Sequence, residues 1–126
     1  MCFLIVKMDE HKRIFKEFLE EATNSESRSK YGPAVSNYYK SLTTLCSYLI
    51  MNKLRKSPKS HAEVFLFLET SFPEIYKIVD AVFTIYTDSY DHLMKKEDCT
   101  RIKNAIKEAA KLGGIEKEFE EDLKKI

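Results

Sequence analysis

This chain contains three glycines and three prolines, and all six fall at four breaks: Gly32-Pro33, Ser57-Pro58, Phe72-Pro73 and Gly113-Gly114. Neither residue suits the interior of a regular element. Glycine loses too much backbone entropy there, and proline lacks an N–H and brings a ring that clashes. The stretches between the breaks are free of both and long enough for helices. Within them apolar residues recur at steps of three and four, the spacing of one helix face, and no segment alternates as a strand would.

The first helix is expected over residues 4–22, where Leu4, Met8, His11, Phe15, Phe18 and Ala22 form the stripe. The small polar run TNSESRSKYGP, residues 23–33, reads as a flexible loop. Pro33 suits the first turn of the second helix, because its missing N–H has no partner there anyway. Ala34, Val35, Tyr38, Tyr39, Leu42, Leu45, Cys46, Leu49 and Ile50 carry that helix to Lys53 or Leu54. Ser60 followed by Glu63 matches a capping box, so the third helix should begin near His61. Phe72-Pro73 ends it and opens a fourth, whose stripe runs from Ile75 through Tyr86 and Tyr90 to Leu93 or Met94. The charged step KKED precedes a fifth helix that Gly113-Gly114 stops. Ile115, Phe119, Leu123 and Ile126 suggest a short peripheral helix over 115–126 that docks on the bundle or frays.

Short connections make neighbouring helices antiparallel. The expectation is an all-α, up-and-down bundle of four main helices plus one or two shorter C-terminal ones. At 126 residues it should be a single domain over 1–126 that needs no disulfide or metal staple. Cys2, Cys46 and Cys99 are odd in number and form no CxxC, so reduced thiols are expected, with Cys46 a core residue. The N-terminal MCFLIV, helix start or extended arm, is too short for a signal core, and no run reaches the length of a membrane span. A soluble, cytoplasmic protein with no membrane contact follows as the expectation.

The net charge of +1 hides a segregation. Between Ser27 and Ala62 stand Arg28, Lys30, Lys40, Lys53, Arg55, Lys56 and Lys59 with no acid, whereas Glu63, Glu69, Glu74, Asp80, Asp88 and Asp91 dominate the segment that follows. Cations near a helix C-terminus complement its dipole, and the same cluster makes a rim that attracts phosphate. Lys53, Lys56 and Lys59 are therefore candidate RNA or nucleotide contacts.

AVSNYYKSLTTLCSYLI, then Lys59-Ser60-His61, then Thr87-Asp88-Ser89-Tyr90-Asp91 together resemble the HEPN domain (higher eukaryotes and prokaryotes nucleotide-binding), especially its small stand-alone prokaryotic members. The resemblance covers roughly residues 8–112. It implies a helical homodimer, often paired with a small nucleotidyltransferase in a toxin–antitoxin or defence system. Ribonuclease members carry an Arg, four to six residues and a His at the dimer cleft, and act without metal. Arg55 and His61 have five residues between them and match that spacing. In such chemistry His exchanges the proton of a 2′-hydroxyl and Arg clamps the phosphate. The family's tyrosines that follow the His and accept nucleotidyl groups are missing, since Ala62, Glu63, Val64 and Phe65 stand there.

Two functions are thus expected: an interaction module that binds a nucleotidyltransferase, a nucleotide or RNA, or a metal-independent endoribonuclease using Arg55 and His61. His11, His61 and His92 are read as lying in three different helices without metal-ligand spacing, so neither a metal nor another cofactor is expected. No Gly-rich phosphate loop occurs. Tyr38 and Tyr39 read as core, and Phe83, Tyr86 and Tyr90 as packing.

Overall fold

The computed structural model describes residues 3–126; Met1 and Cys2, and with them the first part of the MCFLIV question, lie outside the described residues. The fold is an all-α bundle, with no strand among the described residues. Its helices are α1 (Phe3–Ser27), α2 (Tyr31–Leu54), α3 (His61–Ser71), α4 (Pro73–Asp88), α5 (Lys96–Leu112) and the short α6 (Glu120–Leu123), preceded by a 3₁₀ turn at Glu116–Phe119. None of them is long and apolar enough to cross a membrane.

α2 is the centre. It packs against α1, α3, α4 and α5, and its Ala34, Val35, Leu42, Leu45, Cys46, Leu49 and Ile50 are fully buried. A helix apolar on so much of its circumference has to be surrounded. The other helices are amphipathic and turn one face inward: Phe15, Leu19 and Ala22 from α1, Ile75, Val79 and Val82 from α4, Ile102, Ile106 and Ala109 from α5.

α1 continues well past residue 22, so the expected loop over 23–33 shrinks to Arg28–Lys30. Tertiary contacts overrule the weak helix propensity of TNSES. Ser25 is buried, and Glu26 accepts the Tyr38 hydroxyl at 2.6 Å and Lys103 Nζ at 3.1 Å. The helix then closes in a Schellman turn: Lys30 N–H donates to Ser25 O at 2.8 Å and Ser29 N–H to Glu26 O at 2.9 Å, with Ser29 at φ 59°. α2 accordingly starts two residues before Pro33, which stays within its first turn.

The Ser60 cap forms as expected, its Oγ accepting from Glu63 N–H at 3.2 Å. The Glu63 carboxylate reaches back one residue further than in a standard box and accepts from Lys59 N–H at 3.2 Å. α4 is shorter than its stripe suggested. It ends at Asp88, where the Ser89 hydroxyl donates to Tyr86 O at 2.6 Å, and Leu93 beyond it is 97% exposed. Lys96, Glu97 and Asp98 are not a linker but the first turn of α5, capped by Asp98 accepting from Lys95 N–H at 2.8 Å.

The end of α5 passes so close to α2 that a Cβ on Gly113 would lie 3.0 Å from Leu49 Cδ1. Gly114, at φ 68°, supplies the left-handed residue of a second Schellman turn, with Ile115 N–H donating to Ala110 O at 3.0 Å. The C-terminal segment docks. Phe119 is buried, its ring meeting Phe15 and Tyr48 edge-on with centroids 4.9 Å away in both cases.

Candidate functional site

The stretch from Arg55 to Ser60 joins α2 to α3, and its two ends are built differently. Arg55 follows α2 in the left-handed conformation, φ 57°, an unusual position for a residue with a side chain. Its N–H caps α2 on Met51 O at 3.2 Å. Ser60 begins α3 with an oxygen cap. Between them Lys7 of α1 reaches Ser57 Oγ at 3.4 Å, tying the connection to the outside of the bundle.

Where this connection returns to the bundle lies a cleft of about 250 Å³. α1 contributes His11, α2 contributes Thr43, Thr44 and Ser47, and the connection with α3 contributes Pro58, Lys59, Ser60, His61 and Val64. No carboxylate is among these residues. Two carboxylates adjoin lining residues in sequence, Glu10 beside His11 and Glu63 beside Val64; the second holds the Lys59 backbone N–H. Lys59 is the cleft's full positive charge, and the free N–H groups at the start of α3 add a partial one.

The polar groups here are held in defined roles. A carbonyl oxygen only accepts, so the 2.8 Å contact of His11 Nδ1 with Lys7 O makes Nδ1 the donor and leaves Nε2 as the nitrogen available to the cleft. Thr43 and Thr44 hydroxyls donate to Lys40 O at 3.1 and 2.8 Å, which leaves their oxygens as acceptors. Ser60 Oγ already accepts from Glu63 N–H, so its hydrogen is free to donate. His61 is exposed as the first residue of α3.

Of the residues singled out from sequence, Lys59 and His61 thus come together. Lys53, Arg55 and Lys56 are exposed along the end of α2 and the connection, and none of them lines the cleft. His11 is read from sequence as part of the first helix's stripe and as lacking metal-ligand spacing; the fold places it on the lining of the same cleft as His61. No local signal marks this, because the two are fifty positions apart and meet only through the packing of α1 on α2. His92 lies in the turn after α4 rather than in a helix, beside Asp91 Oδ1 at 3.5 Å. Among the described residues no three His, Cys, Asp or Glu gather into a metal-ligating group.

Other reactive groups are muted. Cys46 and Cys99 are buried free thiols, and burial pushes them up to about 12 and about 11, far from thiolate at neutral pH. Tyr38 and Tyr39 are core residues, both hydroxyls pushed up first by burial. A roomier cleft of about 440 Å³ near the C-terminus mixes Lys107, Lys117 and Lys124 with Glu116 and Glu120, so two carboxylates in its lining compete with any bound phosphate for the lysines. Tyr90, 73% exposed, donates to or accepts from Tyr86 OH at 2.8 Å, and Tyr86 stacks on Tyr39 at 4.4 Å; the array ties α4 to α2.

No family model, no curated protein and no solved structure matches this chain.

Proposed function

We propose that this chain is a HEPN-type helical interaction module that holds the phosphate of an RNA or nucleotide in the cleft between α1, α2 and the start of α3. In this reading it is a homodimer partnered with a small nucleotidyltransferase in a toxin–antitoxin-like pair. The observation that carries the reading is the composition of the cleft: a lysine, two imidazoles, a helix N-terminus, and no carboxylate in the lining. Phosphate affinity comes from such a field. The family and its partners rest on the quoted sequence resemblance, with which the helical bundle is compatible.

The test is fluorescence anisotropy of a labelled single-stranded RNA across a salt series. Wild type should bind with an affinity that falls as salt rises. Lys59→Ala should weaken binding and lower the slope of log K against log salt by about 0.7, the value for one phosphate contact on a single strand. Binding that ignores both salt and Lys59 overturns the proposal.

The alternative reading, a metal-independent endoribonuclease using Arg55 and His61, is favoured by His61 standing exposed at the edge of that cleft. Its test is cleavage in EDTA by wild type beside Arg55→Ala and His61→Ala.

A further inference from the structure

We infer that His11 and His61 act as a proton-transfer pair on RNA bound in this cleft, with Lys59 on the phosphate. The inference rests on the proposal that the cleft takes an RNA phosphate. It differs from an Arg–His site in requiring α1, and in not requiring Arg55.

Both imidazoles line one cleft of about 250 Å³, below the 300–1,000 Å³ typical of drug-sized ligands. That space suits a phosphodiester and its flanking sugar better than a whole stacked nucleotide. The His11 ring is held by the bond from Nδ1–H to Lys7 O, which leaves Nε2 as its free ring nitrogen for proton exchange. His61 enters from a different element, as the first residue of α3. A transesterification needs one group to take a proton and another to give one, and two imidazoles from separate elements supply a candidate for each. Thr43 and Thr44 oxygens, with their hydrogens committed to Lys40 O, can accept a bond from a ribose hydroxyl.

The step balances without a co-reactant. One imidazole takes the proton of the ribose 2′-OH as the O2′–P bond forms. The P–O5′ bond breaks, and the other imidazole, protonated, returns a proton to the leaving O5′. The products are a 2′,3′-cyclic phosphate and a 5′-hydroxyl. Lys59 offsets the charge that builds on the non-bridging oxygens.

The experiment uses the full chain, a labelled mixed-sequence single-stranded RNA, and EDTA. Binding is read by anisotropy and cleavage by gel. Wild type should yield cyclic-phosphate ends, and an all-2′-deoxy strand should remain intact. His11→Gln and His61→Gln, compared with wild type at protein concentrations where anisotropy shows the RNA saturated in each case, should cleave at least about 100-fold more slowly, the usual contribution of one acid or base. A substrate with sulfur at the 5′ leaving position needs no acid, so it should restore cleavage to one of the two variants and not the other. RNA bound but never cut by wild type overturns the pair and leaves the binding proposal standing. Cutting by His11→Gln at the wild-type rate, or sulfur rescue of both variants or of neither, also overturns it. No RNA binding at all removes both.

Discussion

Two adjacent tyrosines show how differently one hydroxyl can be treated in the same core. Tyr38 and Tyr39 are both buried. Tyr38 OH donates to Glu26, which Lys103 also reaches, with its ammonium 5.7 Å from the Tyr38 ring centroid. Tyr39 OH has no hydrogen-bond partner among the described residues. Tyr38→Phe should therefore destabilise by about 2 kcal/mol, the scale of a hydrogen bond to a charged group. Tyr39→Phe should be neutral or stabilise by up to about 1 kcal/mol, since it removes a polar atom that gains nothing. Urea unfolding at neutral pH checks both. The Tyr38 effect is also pH-dependent. Burial pushes the Glu26 carboxyl up, but the bonds from Tyr38 and Lys103 outweigh it and hold the group below its ordinary 4.5. A depressed carboxyl contributes stability that is full above about pH 4.5 and is lost as pH falls through the lower folded value. The gap between wild type and Tyr38→Phe should narrow over that acid range.

At the scale of the element, α3 is the clearest case of a helix set by its ends. It spans eleven residues, Phe65 and Phe67 on it are only half-buried, and Leu66 is exposed, so packing alone holds it weakly. Ser60→Ala should cost about 1 kcal/mol and speed amide exchange at Glu63. A global stability unchanged by this substitution would mean that α3 is held from its other end.

Ends of this kind are what the sequence announces. Ser60 with Glu63, Phe72-Pro73 and Gly113-Gly114 act on the backbone within a few residues of themselves, so their effect is local and readable. The continuation of α1 through Ser27 was hidden because Glu26 meets Tyr38 across the turn, and Lys103 from far along the chain, only once the helices have packed. The early end of α4 was hidden for the opposite reason: Tyr90 and Leu93 keep the apolar period, while Ser89 turns the backbone. The candidate site divides the same way. Lys59 and His61 were found because they share a basic, capped connection, and His11 was missed because only tertiary packing brings it there.

At the scale of the molecule, the C-terminal segment is tied to the oldest part of the chain order. Phe119 sits between Phe15 of α1 and Tyr48 of α2. Phe119→Ala should cost about 3 kcal/mol, a large aromatic lost from a closed contact, and should expose the segment from Glu116 onward to limited proteolysis. A stability within about 0.5 kcal/mol of wild type would show that the segment docks without contributing.

The central position of α2 also sets an order of assembly. Its partnership with α1 is available almost at once, because a three-residue turn joins them and the loop to be closed is short. Its contact with the end of α5, where Leu49 faces Gly113, waits for a loop of more than sixty residues. On contact order, the expected nucleus is the α1–α2 hairpin, with the α5 seam laid down late. Strengthening that seam lengthens the lifetime of the folded protein while leaving its rate of folding nearly unchanged.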